Sequence, residues 1–235
     1  MEQGQATGRG GHMSGTELRN ISFHGIGTPK GPEREPGEHR YWVSEARFLE
    51  VLDECLKHPQ VRLSFDDGNA SDVTIALPAL AERGLKADFF PIADRIGTPE
   101  NVDEAGLRAL IAAGMTVGTH GAGHRPWTSA LATHHEDELR SARTRIAEAA
   151  GRPVETAACP FGAYDRRVLK ALRAAGYRTV FTSDARPAQA GAWLQPRYSV
   201  ETDDTAESVR TRMLTPRSAA ERVVDRGVLM VKAWR

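Results

Sequence analysis

Leu63-Ser-Phe-Asp-Asp-Gly68 is the stretch on which the reading of this chain turns. Val61 to Phe65 is a short apolar run of strand type, and it stops at two adjacent carboxylates and a turn-forming glycine. Further on, a second predicted strand, Met115 to Gly118, runs into His120-Gly-Ala-Gly-His124. Two carboxylates and two imidazoles thus follow two strand ends. Two imidazoles and one carboxylate with an open position form the usual ligand set of a hydrolytic zinc, whose bound water has its pKa lowered to about 7. One aspartate can ligate the metal, and its neighbour stands close enough to take a proton from that water. Gly121 and Gly123 put the histidine pair in a loop, and no Glu follows His120, so the helical metalloprotease motif is excluded.

Outward from these motifs the chain alternates. Strands are predicted at Ile21 to His24, Ala87 to Ile92, Thr156 to Cys159, Arg178 to Thr182, Arg197 to Val200 and Val228 to Val231. Helices are predicted at Arg47 to Lys57 behind an Ser44 cap, after a possible Asp72 cap, at Asp103 to Ala113, Glu136 to Ala150, Asp165 to Ala175, and Ala206 to about Val224. Alternation of this kind builds a parallel sheet from β-α-β units, and about seven units suit a single-domain α/β barrel. His24, Asp66, Asp67, His120, His124 and Phe161 all follow the C-terminal ends of different strands, where such barrels assemble active sites. Residues 1–20, polar and Gly-rich at the start, read as a flexible arm, and 21–235 as the barrel.

The 235 residues balance 31 basic against 31 acidic side chains, which gives no electrostatic reason for a nucleic-acid or anionic-membrane partner. A small or neutral partner is expected, and the charge balance is silent on oligomeric state. Two cysteines in no paired spacing, Cys55 and Cys159, suit a reducing compartment, and with no apolar leader or spanning segment the expectation is a cytoplasmic protein. His134-His135, beside Glu136, Asp137 and Glu138, read as a solvated helix face. Trp127, Trp193 and Trp234 read as core and rim packing, and Cys159 as a small buried apolar group.

Ser64-Phe-Asp-Asp-Gly68, His120-Gly-Ala-Gly-His124 and Ala158-Cys-Pro-Phe-Gly162 resemble the first three motifs of the polysaccharide deacetylase family, the NodB-homology domain of carbohydrate esterase family 4, over roughly Ile21 to Thr182. The resemblance implies a distorted (β/α)7 barrel, a divalent metal, most often zinc, and hydrolysis of an N-acetyl group on a sugar. Carried over by position, it makes Asp66 the general base, Asp67, His120 and His124 the metal ligands, and the Phe161 N–H a donor to the oxyanion. The chain departs from the family's pattern elsewhere. Ala158 stands where the third motif usually begins with an arginine that orients the base, and Arg197, after Pro196 near a late strand, is the candidate replacement. Met230-Val231-Lys232 stands where the family usually ends in Leu-x-His, whose histidine protonates the leaving amine; Lys232 and His24 are the candidates for that task. The family's Asp-x-x-Asp-Trp segment has no obvious match. Two alternatives remain open: the same chemistry on a non-sugar amide or ureide, as in allantoinase-like members, and a catalytically silent carbohydrate-binding or scaffold protein.

Overall fold

In the computed structural model, which describes residues 16–215, seven parallel wall strands form a ring. They are β1 (Glu17–Phe23), β2 (Val61–Asp67), β3 (Ala87–Pro91), β4 (Thr116–Val117), β5 (Thr156–Ala158), β6 (Thr179–Thr182) and β7, which consists of Leu194–Pro196 and Tyr198–Ser199 on either side of Arg197. β1 to β4 pair in order, with Phe23 beside Phe65, Phe65 beside Phe89 and Phe89 beside Val117. Two joints complete the ring. At the first, Thr119 just past β4 bridges to Ala157 of β5. At the second, β7 changes partner: Leu194–Pro196 lie along β6, and Tyr198 and Ser199 lie along Ile21 and Ser22 of β1. This is a single-domain, distorted (β/α)7 barrel.

Alternation along each strand sorts the residues. Phe23, Phe65 and Phe89 stack ring on ring across three strands, with centroids 5.5 and 4.8 Å apart, and Phe48 meets Phe23 edge-on at 5.1 Å. Phe48 comes from α1 (Glu45–Cys55), so this face of the wall carries the helices. The intervening residues, Ser22, Ser64, Asp66 and Phe90, face the barrel interior. There they meet Ser199 and Arg197 from β7. A second apolar cluster, with Trp127, Leu139, Tyr164, Val168, Leu172, Tyr177 and Val180, seals the outside of β5 and β6.

The local signals behave as chemistry dictates at most helix ends. Ser44 accepts from Arg47 N–H ahead of α1, Asp103 from Gly106 N–H ahead of α3 (Glu104–Ala112), and Asp165 from Val168 N–H ahead of α6 (Arg166–Ala174). Three expectations are corrected. Asp72 does not cap a helix. It lies inside a wide turn, Asp72–Ala76, ahead of α2 (Leu77–Glu82), and its side chain is buried. The helix expected from Glu136 begins at Trp127: α4 (Trp127–Glu136) runs through a wide turn, Asp137–Ser141, into α5 (Ala142–Ala150). Within it His134 and His135 are exposed, but Glu138 is fully buried, because backbone amides supply the partners that water would have given. Finally, β1 starts at Glu17, ahead of the expected Ile21. α7 (Ala206–Val209) is followed by a wide turn to Leu214. The expected continuation to Val224, the strand Val228 to Val231, Lys232 and Trp234 lie outside the described residues.

Phe65→Ala removes the middle ring of the aromatic stack, and we expect a loss of about 3–5 kcal/mol in urea-unfolding free energy, the cost typical of a buried Phe-to-Ala cavity.

Candidate active site

Asp66, near the C-terminal end of β2, is buried in the barrel interior and held by a two-pronged ion pair. Arg197 Nη1 donates to Oδ1 and Nη2 to Oδ2, each at 2.7 Å. Nη1 also reaches Ser64 Oγ at 3.1 Å, and Nε donates to the Thr182 carbonyl at 3.3 Å. The guanidinium, fully buried, lies 5.5 Å from the Phe90 ring centroid and 5.7 Å from that of Phe181. Burial alone would raise the Asp66 carboxyl; the Arg197 charge and hydrogen bonds, together with the nearby His120 and His24, outweigh it and hold the carboxyl well below the usual carboxylate range.

Asp67, His120 and His124 lie beside it. One ligand atom from each falls within 4.8 Å of the other two, and Asp67 Oδ1 is 3.8 Å from His120 Nε2 and 3.6 Å from His124 Nε2. That oxygen is buried and has no hydrogen-bond partner among the described residues. An orphaned buried carboxylate oxygen faced by two ring nitrogens is the donor set a divalent cation satisfies. The outer ring nitrogens are already committed. His120 Nδ1 donates to the Ala158 carbonyl at 2.9 Å, which leaves Nε2 as the lone-pair nitrogen facing Asp67. His124 Nδ1 is 2.5 Å from Glu35 Oε2. Burial pulls the His120 pKa down to about 4, so this ring stays neutral, as a ligand must be. For His124 burial acts in the same direction, but the Glu35 hydrogen bond and the Asp67 charge outweigh it and raise the pKa.

The backbone aims these groups at some cost. Asp67 (φ 75°), His124 (φ 54°) and Phe161 (φ 57°) all adopt left-handed conformations that side chains of this kind seldom occupy. Gly68 continues the turn at φ 71°, where a Cβ would sit 2.9 Å from Pro91 Cβ. The histidine loop is held from beneath by Glu138, which accepts from Ala122 N–H (2.9 Å), Gly123 N–H (3.4 Å), Trp127 Nε1 (3.2 Å) and Arg125 Nη1 (3.1 Å). Trp127 is thus core, as expected, and serves the site through that bond.

Above these groups opens a cavity of about 280 Å³, whose walls include His24, Glu35, Tyr41, Arg95, Phe161 and Ser183. His24, just past β1, brings Nε2 to 4.0 Å from Asp66 Oδ2, and its ring lies 4.8 Å from the Tyr41 ring. Phe161 is 56 % exposed although apolar, and its ring centroid is 4.4 Å from that of His124 at the cavity mouth.

The family model described as polysaccharide deacetylase matches residues 53–180, more than half of the chain. The chain belongs to the polysaccharide deacetylase family. Among solved structures, a polysaccharide deacetylase from Bacillus anthracis is similar with a TM-score of 0.74 at 16 % identity, over 85 % of this chain and 69 % of that one. The Streptococcus pyogenes deacetylase PplD, solved with acetate, gives 0.73 at 18 % identity over 86 % and 100 %. IcaB from Ammonifex degensii gives 0.69 at 24 % identity over 84 % and 97 %. At these identities the likeness speaks for the fold. No curated protein matches the chain significantly.

Within this family member, the sequence-predicted groups Asp66, Asp67, His120, His124, Phe161, Arg197 and His24 surround or directly back one cavity, whereas Lys232 lies outside the described residues. Cys159 is buried, as expected of a small apolar group, and borders the cavity. Sequence reading passed over Glu35, Tyr41 and Glu138. Glu35 and Tyr41 sit in a loop without periodicity, and Glu138 lies in a charged run that imitates a solvated face.

Arg197→Met strands the Asp66 charge in the interior, and we expect a loss of about 3–5 kcal/mol of stability, as for other broken buried pairs. In an Asp66→Asn background the same substitution should cost clearly less, so a double-mutant cycle in urea reads the coupling; additive losses would show that the two groups are not coupled.

Proposed function

We propose that this chain is a metal-dependent hydrolase that removes N-acetyl groups from a sugar or oligosaccharide. The observation that supports it most is one arginine-held carboxylate, Asp66, adjacent to the cluster of Asp67, His120 and His124 with its unpaired Asp67 oxygen, in a family of deacetylases. A divalent cation, zinc in this reading, held by those three residues would polarise the acetamide carbonyl and acidify water.

The chain's own groups divide the remaining work. Asp66 takes the proton of the attacking water on Oδ2, the oxygen that faces His24 and His120 at 4.0 and 3.9 Å. Arg197 keeps that carboxylate ionised and fixed in its plane, which is the task of the arginine that Ala158 replaces. The Phe161 N–H, on the turn after β5, donates to the carbonyl oxygen as it gains charge, an interaction worth about a hundredfold or more in rate where such donors have been removed. His24 gives the proton to the departing amine, since it lines the cavity and brings Nε2 to 4.0 Å from Asp66 Oδ2. Tyr41 and Phe161 bracket the mouth and offer ring faces to an apolar sugar surface. The even charge balance suits an uncharged substrate, and the buried thiols of Cys55 and Cys159 suit a reducing, cytoplasmic setting. Among the described residues no helix is long and apolar enough to cross a membrane.

Metal analysis combined with acetate release from N-acetylglucosamine oligomers tests this reading. Chelation should abolish release and zinc should restore it. Asp66→Asn should keep the metal while turnover falls by about 10²–10⁴-fold, and His24→Ala should lower kcat over a similar range with zinc retained. Loss of metal in Asp66→Asn would exchange the roles of the two aspartates. Bound zinc with turnover of a ureide and no acetylated sugar would favour the allantoinase-like reading, and absence of bound metal the silent one.

A further inference from the structure

One contact at the site belongs to none of the three motifs. Glu35 lies in the loop between β1 and α1 and spans two partners, with Oε2 2.5 Å from His124 Nδ1 and Oε1 2.6 Å from Arg95 Nη2. Arg95 belongs to a short turn, Ala93–Arg95, that follows β3, and this turn is itself fastened to the histidine loop. Ala93 N–H donates to the Gly121 carbonyl and Asp94 N–H to that of Ala122, both at 3.0 Å. Next in sequence, Arg34 reaches the other metal-bearing turn: Nη2 donates to Asn69 Oδ1 at 2.9 Å, two residues past Asp67, and Nη1 to Asn101 Oδ1 at 3.0 Å. Consecutive residues of one loop therefore grip both turns that carry the metal ligands.

We propose that Glu35 is a positioning residue for the metal site: its carboxylate, held by Arg95, fixes the His124 ring with Nε2 toward Asp67 and ties the 27–38 loop to the metal. This rests on the metal-dependent reading above. The physical basis is the outer partner that a ligating imidazole requires. His120 has a main-chain carbonyl, which no side-chain substitution can remove, whereas His124 depends on a side chain from a distant loop. Because Glu35, Pro36 and Gly37 also line the cavity, metal and loop must stabilise each other by linkage.

Zinc affinity, measured by competition with a chromophoric chelator, tests the proposal on the whole chain. Wild type and Asp67→Asn come first. If wild type binds no zinc, or if Asp67→Asn binds it equally well, the metal reading itself falls and Glu35 with it. With that reading standing, Glu35→Ala should weaken zinc about 10–100-fold, the usual cost of losing such a partner, and Glu35→Gln, which keeps the shape and an acceptor oxygen, should lose less. Zinc-free melting curves of both variants should match wild type, since the loop is partly exposed. A second readout is trypsin cleavage after Lys30 and Arg34: zinc should slow it in wild type and leave it unchanged in Glu35→Ala. Wild-type affinity in Glu35→Ala, or equal protection of the loop by zinc in both proteins, would overturn the proposal.

Discussion

The buried pairing of Arg197 with Asp66 is the constraint to which the rest of this barrel conforms. A guanidinium with no exposed surface is costly unless every donor finds a partner and the charge is met closely. Here the partners come from three strands: Asp66 and Ser64 on β2, Thr182 on β6, and flanking rings from Phe90 on β3 and Phe181 on β6. An arginine in the wall therefore replaces much of the layered aliphatic packing that fills other small barrels. Ala158 is fully buried in a cluster with Phe90 and Phe181, the same two rings that flank the guanidinium.

The candidate metal-binding set obeys a related logic of prior commitment. His120 is fixed by main chain on two sides, with its N–H on the Pro91 carbonyl and its ring on that of Ala158. His124 is fixed by a carboxylate, and the loop between the two histidines by a second one, Glu138. Left-handed backbone at Asp67, His124 and Phe161 persists because strand pairing and these bonds over-determine the local geometry. The strain is concentrated where direction matters most.

Much of this was legible in the sequence because strand ends announce themselves. Asp66-Asp67 and His120/His124 follow apolar runs directly, so their convergence needed only the parallel topology that the helix-strand alternation implies. Arg197 was legible for a different reason: the family resemblance calls for an arginine that Ala158 does not supply, and Arg197, after Pro196 near a late strand, is the candidate replacement. Glu35 and Glu138 were not legible. Each acts across the fold from a segment whose local pattern describes only solvent exposure, and burial of a charge is decided by the donors that distant segments bring to it. Asp72 misled in the opposite sense, since an acidic residue ahead of an apolar stretch imitates a cap even when the chain winds a wide turn there.

The change of partner along β7 has a bearing on partly folded forms of the chain. Among the described residues, Arg197 is where β7 leaves β6 and takes up β1, so the peptide that shuts the ring also carries the cation that holds Asp66. A barrel with this strand undocked would still carry both histidines and both aspartates, yet the Asp66 carboxylate would lose its arginine and stand open to water, so closure of the ring and the setting of this carboxylate are one event.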